Sequence, residues 1–185
     1  MLSVLPLTVA LVTPNEVNAN EQQWGHWRGP TGNGESLTAI PPKEFGPDKN
    51  CRWKQPIPGR GSSSPVVWDD QVFITTAIPV SDGQGTLDFR LLCYDRKTGT
   101  KQWDHSCIKA IPHEGTHSTN GYASASPCTN GRYIYAHFGS QGLYCLTMEG
   151  EPVWSRDFGD MHTRNEFGEG SSPTLVDDKI VIPWD

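Results

Sequence analysis

An all-β fold built from repeated four-stranded sheets is predicted by three features of the sequence. One segment occurs three times, and each copy opens with a Ser-Pro pair. Two of the copies end in a Gly turn followed four residues later by a Trp. The composition, with 19 Gly, 15 Pro, 7 Trp and only 19% charged residues, is typical of short strands joined by many turns. The repeated positions are Pro65, Pro127 and Pro173, then Gly99 and Gly150, then Trp103 and Trp154.

The first complete copy predicts four strands. Residues 66–67 form a short apolar run, and residues 72–76 are β-branched and aromatic, which favours a second strand. Residues 90–94 predict a third strand, and the fourth begins at residues 101–103. Gly99 supplies the positive φ that a tight hairpin turn requires. Four antiparallel strands in about 40 residues make one small sheet.

The second complete copy predicts the same sheet with shorter connections. Its second strand is expected at residues 133–136 and its third at residues 143–146, with a turn at Gly150 before the fourth. Upstream, residues 51–54 predict an outer strand, which carries Trp53 but has no sheet before it. In each sheet the Trp is expected to pack one sheet onto the next, since an indole buries a large area.

Four-stranded sheets that repeat at this period predict an incomplete β-propeller, with two whole four-stranded blades plus parts of two others. The blades are expected at about 63–106 and 125–157, with a third begun at 171, inside a propeller region of 50–185. An open array of sheets or a sandwich is the alternative. Because the third copy stops at Asp185, we expect an N-terminal fragment whose open edge strand favours self-association.

The residues before the repeats predict export. Residues 1–19 have the apolar run and the small-residue cleavage pattern of a signal peptide, although no Lys or Arg precedes the run. A disordered extension is the alternative. Residues 20–49 are expected to be irregular. The predicted location is therefore the periplasm or cell envelope, and the apolar run is too short for a transmembrane segment.

Charge and cysteine usage restrict the partners further. The net charge of −6 and the pI of about 5.4 argue against nucleic acid. The odd number of cysteines, 5, does not make a disulfide framework. Cys93 and Cys145 occupy equivalent repeat positions and are expected in the core, whereas Cys107 and Cys128 flank one long loop and could pair in an oxidising compartment.

At these residues the chain resembles the pyrroloquinoline-quinone-like repeat family of β-propellers. Residues 92–99 with Trp103 carry the repeat motif, and residues 144–147 with Gly150 and Trp154 carry a weaker copy. Residues 27–34 resemble the start of large propeller proteins of planctomycete-type bacteria. The resemblance implies a bacterial, non-catalytic module for binding or scaffolding of an unknown protein or small molecule. A fragment of a quinoprotein oxidoreductase and the sensor domain of a signalling protein are the alternatives.

The quinoprotein alcohol dehydrogenases of this superfamily carry an adjacent Cys-Cys pair, which this sequence lacks. Their calcium-ligand and catalytic Asp segments find no match either. We therefore expect no cofactor, with pyrroloquinoline quinone as the alternative, and assign no catalytic residue.

A His-Glu-x-x-His sequence at residues 113–117 resembles the zinc-protease signature, which places both His on one face of a helix. Gly115 lies inside it and Pro112 precedes it, so a loop is predicted and the protease reading is disfavoured. His162 or Glu166 could supply a third ligand, but no metal site is assigned. A His pair that binds adventitious metal and a purely structural loop are the alternatives.

The long connections between each Trp and the next Ser-Pro are the best candidates for function, because long loops on a rigid scaffold tend to carry it. They are expected to meet on one face of the propeller and to include His105. Solvated loops that bond only one another are the alternative. The predicted ligand or partner residues are Arg60, His113, His117, Asn120, His162, Glu166 and Glu169.

Overall fold

The computed structural model describes residues 23–36 and 38–184 and contains ten strands. The predicted leader at residues 1–19 lies outside the described residues. The first blade comprises β1 (Val66–Trp68), β2 (Gln71–Pro79), β3 (Leu87–Asp95) and β4 (Lys101–Ala110). The second comprises β5 (Cys128–Thr129), β6 (Tyr133–His137), β7 (Leu143–Thr147) and β8 (Pro152–Arg156). A hairpin of β9 (Thr174–Val176) and β10 (Lys179–Val181) follows.

Each blade is a meander in which every strand pairs antiparallel with its neighbour along the chain. The prediction of an all-β fold and an incomplete propeller with two four-stranded blades is confirmed. Two short 3-10 turns, Gly139–Gln141 and Arg164–Glu166, are the helical segments of the described chain. No helix among the described residues has the length and apolar character to span a bilayer.

The cysteines of the repeat lie at the centre of each blade, as predicted. Cys93 pairs with Phe73 on one side and with Trp103 on the other, and it is fully buried. Cys145 stands in the same way between an aromatic residue and Trp154. All 5 cysteines are free thiols, so Cys107 does not form the disulfide considered for it. Burial raises the pKa of Cys93 to about 12, which keeps the thiol protonated near neutral pH.

The repeated Trp and Gly meet across the joint between blades. The indole of Trp103 lies against Gly150 of the next blade, where an added Cβ would be only 2.7 Å from the ring, and its Nε1–H donates to the carbonyl of Met148 at 2.9 Å. Trp53 packs against Gly99 in the same way, with 2.6 Å to an added Cβ. Both glycines have positive φ, so conformation and space each require glycine there.

Residues 51–54, predicted as an outer strand, form no strand in the structure. Strand formation requires a partner ladder, and in the described chain no inner strand lies beside them. Trp53 nevertheless keeps the contact of the repeat, because its Nε1–H donates to the carbonyl of Arg96 at 2.9 Å. The indole contact is therefore independent of the strand that carries the Trp in the complete blades.

The repeated Ser-Pro pairs are linked by side chains near the propeller axis. The backbone N–H of Ser64 donates to Oγ of Ser126 at 2.8 Å, and the N–H of Ser126 donates to Oγ of Ser172 at 2.9 Å. Each serine hydroxyl thus accepts the backbone donor of the preceding copy. Small residues bring the inner strands close, and the hydroxyl satisfies an N–H that the ladder leaves free.

The N-terminal segment crosses the ends of the innermost strands. Trp24 exchanges two backbone hydrogen bonds of 2.8 Å with Val67 of β1. The carbonyl of Gly25 accepts from Thr129 N–H of β5 at 2.8 Å, and His26 Nε2 lies 3.2 Å from the hydroxyl of Thr174. This segment ties three successive copies together.

Candidate functional site

Two connecting loops form one surface, which we call the two-loop face: residues 111–127 after β4 and residues 157–173 after β8. The first loop is shorter than the sequence predicted, because β4 continues to Ala110. His105 therefore lies inside β4 and not in the loop, which corrects the expectation for this residue. Partial burial lowers the pKa of His105.

Phe167 joins the centres of the two loops. Its carbonyl accepts hydrogen bonds from Nδ2 of Asn120 at 3.0 Å and from the backbone N–H of His117 at 3.3 Å. The His117 ring also meets the Phe167 ring edge to face, with 5.4 Å between the ring centroids. Two predicted site residues thus contact the same residue of the opposite loop.

Glu114 makes the strongest polar link between the loops. Its Oε1 accepts two hydrogen bonds from Thr163, from the backbone N–H at 2.9 Å and from the hydroxyl at 2.6 Å. Its Oε2 lies 3.4 Å from His162 Nδ1. The hydrogen bond from the Thr163 hydroxyl is the main cause that lowers the pKa of Glu114, because it favours the charged carboxylate. From the sequence, Glu114 was considered only as the base of the disfavoured protease signature.

The His-Glu-x-x-His sequence is a loop, as predicted, and its two His point to different partners. His113 lies with His162 of the other loop, 5.7 Å between ring centroids, and its Nε2 is 2.8 Å from the carbonyl of Met161. His117 instead directs Nδ1 to the hydroxyl of Thr119 at 2.8 Å. The arrangement therefore lacks the shared helix face that the protease signature requires.

Glu169 is fixed at the inner edge of the face. Its carboxylate accepts from the backbone N–H of Ser140 at 2.6 Å and from the Ser140 hydroxyl. Gly139 precedes this serine with a φ of 58°, and any side chain there would collide with the carboxylate. A small cavity of about 30 Å³ lies beneath, with space for one or two waters. It is lined in part by Phe89, His113, Glu114, Tyr122, Phe138 and Glu169.

The remaining two predicted residues lie at the rim. Arg60 donates from Nη2 to the carbonyl of Ser118, so it braces the first loop from the segment before β1. Glu166 follows Asn165, and both have positive φ, 53° and 57°, which places the Glu166 carboxylate beside Gly115. Each predicted residue therefore lies on or beside the two-loop face.

An open groove lined mainly by serine side chains lies beside the inner strands, and its volume is about 430 Å³. Trp27 of the N-terminal segment lies at its wall. The serine hydroxyls were given no role from the sequence. Recurrence of Ser, and not only of a small residue, before each Pro was the available signal. The serines are Ser62, Ser64, Ser124, Ser126, Ser171 and Ser172.

A family model described as outer membrane protein assembly factor BamB matches residues 46–182. Among solved structures, the crystal structure of BamB from Moraxella catarrhalis matches with 13% sequence identity and a TM-score of 0.36. That match covers 65% of this chain and 39% of the BamB chain, so the chain spans well under half of that protein's length. No curated protein matches the sequence.

Proposed function

Since this chain belongs to the pyrroloquinoline-quinone-like repeat family whose model is described as outer membrane protein assembly factor BamB, we propose that it is an exported binding or scaffolding module of the cell envelope. The two-loop face is its partner site. One observation carries this proposal: the two loops are locked together by their own polar groups, above all Glu114 with Thr163, while charged side chains remain at the rim.

The loop contacts give the face a defined shape before any partner binds. Asn120 and His117 hold the backbone of Phe167, and Arg60 holds the backbone of Ser118. A preorganised surface loses less conformational entropy on association, which favours binding. His162, with 83% of its side chain exposed, and Asp160, with 62%, remain available to a partner.

The hydrogen bonds of the Glu114 and Glu169 carboxylates support a non-catalytic role. Glu114 is engaged by Thr163 and Glu169 by Ser140, in each case through two hydrogen bonds to one residue. Carboxylates held in this way position loops. We propose that the protein carries no quinone cofactor, which agrees with the missing adjacent Cys pair. Titration of the full chain with pyrroloquinoline quinone and Ca²⁺ should leave the quinone absorbance unchanged, and a saturable shift would contradict this.

Photo-crosslinking tests the partner site. A photoreactive phenylalanine analogue replaces the exposed Ser118 on the two-loop face, and in a control chain it replaces the exposed Lys97 at an outer turn. After expression in a bacterium with an outer membrane, we expect adducts from position 118 and not from position 97, recovered with the envelope fraction. Partners of the outer-membrane assembly class would support the proposal. Equal adducts from both positions, or recovery only in the cytoplasm, would contradict it.

A further inference from the structure

Three potential metal ligands converge between the two loops. One ligand atom each of His113, Glu114 and His162 lies within 4.8 Å of the others. Oε2 of Glu114 is 3.4 Å from Nδ1 of His162 and 4.0 Å from Nε2 of His113. Neighbouring ligands of a tetrahedral zinc ion are about 3.3–3.5 Å apart. One of these separations already matches, and the others need small side-chain movements.

The carboxylate of Glu114 is oriented to act as a metal ligand. Both hydrogen bonds from Thr163 end on Oε1, which leaves Oε2 directed toward the two imidazoles. The side chain is only 12% exposed, so it has little freedom to turn away. Carboxylates that bind metals are commonly held in this way, by a hydrogen-bond donor beside them.

The second ring nitrogen of His113 faces a carboxylate, at a distance longer than a hydrogen bond. Its Nδ1 lies 3.7 Å from Oδ1 of Asp160. At 2.8 Å from the Met161 carbonyl, Nε2 acts as the N–H donor, because a carbonyl oxygen can only accept. Binding a cation therefore requires the proton to move from Nε2 to Nδ1, where it can face the Asp160 carboxylate as in carboxylate–histidine–zinc arrangements. Nε2 then exchanges its contact with the Met161 carbonyl for the metal.

His162 leaves one side of the cluster open to solvent. Its side chain is 83% exposed, and its ring meets His113 nearly edge to face at an interplanar angle of 72°. Water can therefore complete the coordination as a fourth ligand. Two imidazoles and one carboxylate suit Zn²⁺, whereas Ca²⁺ and Mg²⁺ prefer oxygen ligands alone.

We propose that His113, Glu114 and His162 bind one Zn²⁺ ion that cross-links the two loops. This site uses Glu114 as a ligand and takes its second imidazole from the other loop, so it is distinct from the protease reading of residues 113–117. Because His113 and Glu114 belong to one loop and His162 to the other, the ion would stiffen the two-loop face. The inference does not depend on which partner the face binds.

Calorimetric titration of Zn²⁺ into the chelator-treated full chain tests the site. We expect one ion per chain, with affinity lowered at least about tenfold in Glu114→Gln and in His162→Ala. His117→Ala is the matched control, since this His lies on the same loop but contacts Thr119 and Phe167. The control should keep the affinity. Binding that is absent, or that His117→Ala weakens as much as His162→Ala does, would overturn the proposal.

Limited proteolysis tests the cross-link without relying on affinity. Trypsin cleaves after Arg164, which is exposed in the second loop two residues beyond His162. Zn²⁺ should slow cleavage there in the wild-type chain and leave it unchanged in His162→Ala, whose exposed side chain is not needed for folding. Ca²⁺ should give no protection. Equal protection of the wild type and His162→Ala by Zn²⁺ would contradict the cross-link.

Discussion

The joints between blades differ from the two-loop face in whether their polar and aromatic contacts recur from one copy to the next. At the joints the same residue types recur, and they act between copies: Trp103 packs on Gly150, and Ser64 donates to Ser126. On the two-loop face the contacts do not recur. Glu114 with Thr163 has no counterpart in the first blade. A repeated residue thus indicates architecture, and a residue that breaks the repeat indicates a local task.

The difference also separates what the sequence can predict from what it cannot. The spacing of Pro65, Gly99 and Trp103 predicts strand order, because each blade repeats one hydrogen-bonding plan. The contact of His113 with His162 could not be predicted, because these residues are far apart in sequence and meet only once two irregular loops are folded. The open-edge association expected of β10 stays a prediction.

Two strand boundaries also differ from the prediction, because strand formation depends on a partner strand that is distant in sequence. Strand β4 extends to Ala110 because the long partner strand β3 offers a ladder as far as Leu87, which local propensity around His105 does not reveal. Residues 51–54 have strand propensity and no ladder beside them. The seven predicted site residues do lie on or beside one face, since the propeller plan brings the connecting loops together.

The largest effect is expected from a side chain at a joint. Gly150→Ala combines a φ of 90° with a Cβ 2.7 Å from the Trp103 ring, and we expect it to lower the free energy of unfolding by about 3 kcal/mol. Gly83→Ala is the matched control, because Gly83 has a φ of 72° and open space around it. It should lose only about 1 kcal/mol in urea unfolding. If both variants lost the same free energy of unfolding, contact with the Trp103 ring would not be the cause.

A smaller effect is expected from the serine links. Ser172→Ala leaves the backbone N–H of the buried Ser126 without its acceptor, and a buried donor left unsatisfied costs about 1–2 kcal/mol. Urea unfolding of this variant should show that loss, whereas alanine at the exposed Ser81 should change little. If both substitutions were neutral, the serine would serve only as a small residue.

The pH dependence of stability should report on His137. Burial lowers the pKa of this His, whose Nδ1 meets the Ser171 carbonyl at 3.1 Å, and its buried Nε2 has no hydrogen-bond partner among the described residues. Nearby Glu169 opposes the shift. As the pH falls below about 6.5, the unfolded chain takes up a proton that the folded chain resists, so stability is lost.

His137→Asn should reduce this acid-side loss, because Asn does not titrate and can still donate to Ser171. We expect urea unfolding between pH 7.5 and pH 5 to show a weaker slope for the variant, with a difference of at most about 1.4 kcal/mol per pH unit. The partly buried His26 and His105, whose pKa values are also lowered, contribute equally to both proteins. Identical slopes would exclude His137 as the cause.

The smallest effect on stability is expected on the two-loop face. His117→Ala removes an exposed ring that contacts Thr119 and Phe167, and the free energy of unfolding should change by no more than about 0.5 kcal/mol. The same substitution should lower the adduct yield from position 118 in the crosslinking experiment. A stability loss as large as that of Gly150→Ala would show that the face is architectural too.

A double-mutant cycle on Trp103 and Gly150 tests most directly whether repeated residues act across the joint. Trp103→Ala removes the ring that an added Cβ at position 150 would meet. We therefore expect Gly150→Ala to destabilise the Trp103→Ala protein by at least about 1 kcal/mol less than the wild type in urea unfolding. Effects that add to within about 0.5 kcal/mol would contradict the account, because the two residues would then act independently.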